Sequence, residues 1–230
     1  MTRFVLVHGS GDGGWAWHLV ARSLLHRGHE VVAPDLPTDR DDATWADCAE
    51  VVRAAAGDAP GPVLVGHSSG GQVVPLAAEA CGVSLQVFVA GLVPWPGETP
   101  EQWFAAVGWA DAVAGARRRD GGLTGHPDPL VAYYHDVPAE LAAEALARER
   151  STTDRLGRTP WPLPELPPVP ARFVVTALDR FIPPPVQRRV AADRLGIDRP
   201  DEIGAGHCVG LSRPEELAGL LAGYADALPA

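Results

Sequence analysis

The sequence predicts the α/β class: a mostly parallel central sheet of about six strands, flanked by helices and interrupted by one helical insertion. Three observations predict it. Short apolar, β-branched runs alternate with longer stretches of helical spacing. Each run is bounded by Gly, Pro or Asp. The alternation then breaks once, across a tryptophan-rich middle. Runs this short are strands buried on both faces, because a buried helix needs more residues to span a core. Strands that alternate with helices run parallel, and the helices cover both sides of the sheet.

The strands are predicted at residues 3–7, 30–33, 63–65, 85–90 and 172–176, with a short sixth around 201–203. Helical spacing covers 15–27, 44–56, 70–81, 184–195 and 213–228. The last helix has a legible start. Ser212 is expected to cap it, Glu215 to reach back, and Pro214 to sit in the first turn, where a missing N–H does no harm. That leaves 204–211 as a loop at a strand's carboxyl end, where such sheets place their chemistry.

Residues 93–170 carry Trp95, Trp103, Trp109, Trp161 and the Tyr133-Tyr134 pair. A helix-prone run at 139–150 and a proline-dense exit at 160–170 complete the segment. One domain, 1–230, is expected, with core 1–92 and 171–230 and the insertion 93–170 acting as a lid over a pocket.

Composition narrows the function classes. A formal net charge of −10 argues against nucleic acid, which requires clustered cations to displace counterions. The basic run Arg117-Arg118-Arg119 is followed by Asp120 and two glycines and reads as a solvated loop or helix end. Cys48, Cys81 and Cys208 are odd in number and lack C-x-x-C spacing, so neither a disulfide framework nor a metal site is expected. The chain opens directly on a strand-like run, and no apolar stretch is long enough to span a bilayer. A cytoplasmic protein without a membrane partner is expected, and an exposed lid offers a surface for homodimer pairing.

Gly66-His67-Ser68-Ser69-Gly70 is a G-x-S-x-G sequence that follows one predicted strand and opens a helix. The glycines let the chain reverse sharply, so that Ser68 stands clear of the sheet in a strained conformation. A serine hydroxyl needs a base to take its proton. Of the eight histidines, only His207 lies beyond the last strands, in a glycine-flanked loop. The chain order Ser, acid, His then selects Asp179, just past the fifth strand, as the carboxylate that fixes the imidazole tautomer. Two backbone N–H groups, those of Ser69 and Ser10, are the expected oxyanion donors. A rival reading takes Gly9, Gly11 and Gly14 as G-x-G-x-x-G, a nucleotide-phosphate loop with Asp35 as its acidic partner. It leaves Ser68, Asp179 and His207 without a role.

His8-Gly9-Ser10 with Gly14-Trp15-Ala16-Trp17, the Gly66 to Gly70 turn, Asp179 and Gly206-His207 together resemble the α/β-hydrolase superfamily. Within it they resemble the small branch of plant methyl-ester esterases and hydroxynitrile lyases. The resemblance covers the core and matches the insertion only in position. It implies an α/β-hydrolase fold, a lid over an apolar pocket, no cofactor, and acyl-enzyme chemistry on a small-molecule ester with an apolar group. His8, Gly9, Trp95, Trp103, Trp109 and Cys208 are expected to line that pocket. Hydroxynitrile lyases of this branch carry threonine and lysine where this chain has Gly9 and Cys208, and a thiol cannot hold cyanide's charge. Cyanohydrin cleavage is therefore disfavoured. The alternatives are other chemistry on the same triad (lyase, acyltransfer or natural-product tailoring) and a small-molecule sensor with little turnover.

Overall fold

The computed structural model describes residues 1–80 and 82–229. The predicted helix over 70–81 therefore ends, at Cys81, outside the described residues. β1 (Arg3–Val7) is followed by a 3-10 turn (Gly14–Trp17) and α1 (His18–His26), where the sequence predicted one continuous helix. Then come β2 (Glu30–Val32), α2 (Trp45–Ala56), β3 (Val63–His67), α3 (Gly70–Ala80) and β4 (Leu85–Val89). The insertion holds α4 (Pro100–Ala106), α5 (Trp109–Arg119), α6 (Pro129–Ala132), α7 (Ala139–Ala147) and α8 (Asp154–Arg158). β5 (Ala171–Thr176), α9 (Pro184–Leu195), β6 (Asp201–Ile203), α10 (Val209–Ser212) and α11 (Pro214–Asp226) close the chain.

The six strands form one sheet in the order β2-β1-β3-β4-β5-β6, with every pairing parallel. Successive strand side chains point to opposite faces, and the buried sets follow that period of two. Phe4, Leu6, Val63, Val65, Val87, Val89 and Val174 meet α1 and α11 on one face. Val5, Val7 and Leu64 meet α2 and α3 on the other, while Phe88, Phe173 and Val175 meet α9 and the insertion's Trp103. Each large side chain so buried contributes about 1.5–3 kcal/mol, which is what holds the strand ends in register under the loops.

The predicted capping box at α11 is not formed. A single helical turn, α10, takes up Ser212, and Arg213 becomes the residue before α11. Glu215 instead accepts from the Ser23 hydroxyl of α1 at 2.6 Å, while Pro214 does occupy the first turn. Among the described residues, no helix is long and apolar enough to cross a membrane.

Candidate active site

β3 leads into a sharp turn whose apex, Ser68, has φ of 51°. A side chain at that angle is strained, and the surroundings hold it there: Ser68 N–H donates to Val89 O, and Ser68 O accepts from Leu92 and Gly71. The flanking glycines are required sterically. A Cβ on Gly66 would lie 2.7 Å from Gly70 O, and one on Gly70 would lie 2.6 Å from the carbonyl oxygens of both Val7 and His8.

Asp179 and His207 meet from the ends of β5 and β6. His207 Nδ1 lies 2.7 Å from Asp179 Oδ2, with both side chains buried. The carboxylate is fully engaged. Its Oδ1 accepts from the backbone N–H of Phe181 and Ile182, and its Oδ2 also accepts from Thr176 Oγ1 at 2.9 Å and Gln187 Nε2 at 3.0 Å. Burial by itself would raise the Asp179 pKa, but the electrostatic pull of His207 and these hydrogen bonds outweigh it and hold the carboxyl below its ordinary value. An ionised Asp179 accepts a hydrogen bond from Nδ1–H, which leaves the Nε2 lone pair of His207 without a partner among the described residues. The Ser68 hydroxyl likewise makes no hydrogen bond among the described residues, and both groups face the same cavity.

The two residues predicted to supply the oxyanion donors meet through their side chains. Ser10 Oγ and Ser69 Oγ are hydrogen-bonded at 2.8 Å, and neither backbone N–H has a partner among the described residues. Gly9 makes this approach possible, since a Cβ there would sit 3.1 Å from Ser68 Cβ. The rest of the loop is closed off: Gly11 N–H donates to Thr152 Oγ1 and Gly14 N–H to Asp35 Oδ1. A Cβ on Gly14 would lie 2.0 Å from Ala33 O. Asp35 and this glycine thus fasten the loop to the segment after β2, and two of the glycine amides that the phosphate-loop reading needs, those of Gly11 and Gly14, are already engaged.

The cavity is about 460 Å³. His8, Gly9, Ser68, Ser69, Ser10, His207 and Cys208 line it, as do Trp45, Phe104, Tyr133, Tyr134 and Phe181. His8 is anchored through both ring nitrogens, one against Gly9 O and the other accepting from Leu36 N–H. The Cys208 thiol is pushed well above its ordinary pKa, by burial first and then by Asp12 and Asp179, so it is neutral. The three tryptophans predicted to line the pocket do not. Trp103 is fully buried, with its indole donating to Val93 O; Trp109 donates to Phe181 O; Trp95 is half exposed. A large ring with one N–H docks where a carbonyl and a core await it, and in the insertion those lie beside α9.

Sequence reasoning missed two residues that hold the His207 loop. Asp136 of the insertion accepts from Gly206 N–H at 2.8 Å, and a Cβ on Gly206 would lie 2.6 Å from that carboxylate. His67 donates through Nε2 to His207 O at 2.8 Å, tying the turn directly to the histidine loop. Burial pushes the His67 pKa down to about 3, so it is a neutral donor. The glycine before His207 was a signal for the first contact; the second had none beyond the motif itself.

This arrangement has relatives. The sequence matches the alpha/beta hydrolase family over residues 4–220. The chain belongs to that family. Esterase PIR7B of Oryza sativa subsp. japonica is 30% identical over 250 residues, covering 95% of this chain and 93% of its own. Methylesterase 7 of Arabidopsis thaliana is 28% identical, with 97% and 96% covered. Norfluorocurarine synthase 2 of Strychnos sp is 37% identical over 103 residues, 40% of this chain and 39% of its own length. Among solved structures, polyneuridine aldehyde esterase superposes with a TM-score of 0.77 at 22% identity, covering 98% of this chain and 100% of that one. That likeness shows the fold.

Proposed function

We propose that this chain hydrolyses small to medium carboxylic esters through an acyl-enzyme, with Ser68 as nucleophile, His207 as general base and Asp179 as the group that orients the imidazole. The observation that carries this reading is the buried 2.7 Å Asp179–His207 pair, which leaves Nε2 as an acceptor toward the cavity that Ser68 faces. The relatives named as esterases and methylesterases, matched across nearly the whole chain, support the ester class.

In the first half-reaction Ser68 Oγ attacks the ester carbonyl while His207 Nε2 takes its proton. The carbonyl oxygen, now negative, receives the N–H groups of Ser69 and Ser10; each such donor is worth about 2.7–4 kcal/mol at the transition state. The clip between the two serine hydroxyls fixes the spacing of those donors before substrate arrives. His207 then protonates the leaving alcohol, and in the second half-reaction it draws a proton from water that attacks the acyl-enzyme. Residues 93–170 act as the lid: Phe104, Tyr133 and Tyr134 close the cavity opposite the sheet, and an apolar group of the substrate fills the space between them.

Turnover of p-nitrophenyl butanoate tests this reading. Ser68→Ala is expected to lower kcat by at least about 10³ while leaving the melting temperature nearly unchanged. A Ser68→Ala protein with full activity overturns it.

A further inference from the structure

The charges around the cavity are one-sided. Asp12, Glu101, Glu149 and Asp154 line it, and no Lys or Arg does. Two of these carboxylates have their counter-charge: Arg158 reaches Glu101 at 3.1 Å and Asp154 at 3.4 Å. Asp12 and Glu149 have none. Neither carboxylate makes a hydrogen bond or ion pair among the described residues, although arginines flank Glu149 in the chain. Arg148 pairs with Glu144 and lies over the Trp15 ring, and Arg150 pairs with Asp39. Of the four carboxylates that line the cavity, the fold therefore supplies a cation to two and none to Asp12 and Glu149 among the described residues.

Asp12 is committed to this position by the loop that carries Ser10. Its N–H donates to Gly9 O, and Asp12 lines the cavity together with Cys208, close enough for its charge to act on the neutral thiol. Burial there, and secondarily the charge of Glu149, push its pKa up to about 6, against the opposing pull of His207. A carboxylate desolvated without a partner carries a standing penalty, which an incoming cation removes. Tyr133 and Tyr134 line the same cavity, Tyr134 near enough to Asp12 and Glu149 for their charges to act on its hydroxyl, and ring faces attract cations without themselves carrying charge. No three His, Cys, Asp or Glu side chains among the described residues converge as metal ligands, so the site fits an organic cation.

We propose that the ester this enzyme takes bears a positively charged nitrogen, held between Asp12 and Glu149 against the Tyr134 face while its carbonyl meets Ser68. The inference rests on the ester-hydrolase reading for its chemistry, and on the two unpaired carboxylates for its charge. Cavities lined with one sign of charge also concentrate the opposite ion, so the same residues speed the substrate's arrival.

Binding separates this claim from catalysis. Ser68→Ala protein is titrated calorimetrically, at pH 8 and low salt, with acetylcholine and with its uncharged isostere 3,3-dimethylbutyl acetate. The two differ only in a quaternary nitrogen replaced by carbon. The cation is expected to bind at least about ten-fold tighter, consistent with a partly desolvated charge contact. Adding Asp12→Asn or the exposed Glu149→Gln is expected to cut that advantage to below about three-fold. Equal or tighter binding of the neutral ester overturns the proposal, as does a cation preference that neither substitution moves. Hydrolysis of the neutral ester by the unmodified enzyme reports on the ester-hydrolase reading independently.

Discussion

Asp179→Asn removes one charge and almost no volume, so its effects isolate what the carboxylate does. In the native site Oδ1 accepts two backbone N–H groups, and Oδ2 accepts from Thr176, Gln187 and His207. An asparagine that keeps its oxygen on Phe181 and Ile182 must turn its NH₂ toward those three groups. Gln187 cannot invert to suit it, because its Oε1 accepts from Thr176 N–H and its Nε2 donates to Ile182 O at 2.8 Å. The NH₂ then donates to His207 Nδ1, which drives the imidazole proton to Nε2, where a base is needed. Loss of the correct tautomer lowers kcat by about 10⁴, or about 5.5 kcal/mol. Two donors facing each other in a buried site cost about 2–4 kcal/mol of stability. At about 2–4 °C per kcal/mol for a chain of this length, melting falls by about 5–15 °C. Steady-state turnover of p-nitrophenyl butanoate and thermal unfolding by circular dichroism measure the two effects. A variant retaining kcat within about ten-fold of the parent would refute the assigned role of the carboxylate.

Other expectations follow from the same contacts. Asp12 has the opposite sign of pH linkage to Asp179. Its raised pKa means the folded chain holds the proton between about pH 4 and 6 while the unfolded chain releases it, so stability falls as pH rises through that window. Asp12→Asn is therefore expected to stabilise by about 1–3 kcal/mol at pH 8 and by little at pH 4, read from melting curves at both. Equal destabilisation at both values would contradict it. Asp136→Ala removes the acceptor of Gly206 N–H and should lower kcat about ten-fold at a stability cost of about 1–2 kcal/mol, checked by kinetics and urea unfolding. Gly223→Ala adds a methyl to open space within α11 and should stabilise by about 0.5–1 kcal/mol in urea unfolding, with activity unaffected.

Much of this fold was legible because its signals are local. The strands are short runs, and the four central ones, β1, β3, β4 and β5, are buried along most of their length and had to be largely apolar, while the edge strands β2 and β6 carry exposed residues. The G-x-S-x-G turn was readable for a steric reason that holds at Gly66 and Gly70, where no Cβ fits. His207 and Asp179 were reached by chain order, and they sit together at the carboxyl ends of β5 and β6. What escaped depended on contacts between distant segments. The tryptophans announce buried surface but not which surface: Trp103 found the Val93 carbonyl and α9 instead of the cavity. Ser212 had the spacing of a cap, yet α10 claimed it first. Asp12 and Asp136 look like ordinary loop acids in the sequence. Only the folding of the insertion against the first and last loops gives one of them an unpaired, desolvated carboxyl and the other a backbone N–H to hold.

The most direct test of the proposed chemistry is covalent. Incubation with diisopropyl fluorophosphate, followed by intact-mass measurement and peptide mapping, is expected to yield one adduct per chain, on Ser68. Its formation should be slowed by at least about 10³ in His207→Ala, because the hydroxyl then has no base. An adduct on Ser69, Ser10 or another residue, or labelling that proceeds at the parent rate without His207, would contradict the assignment.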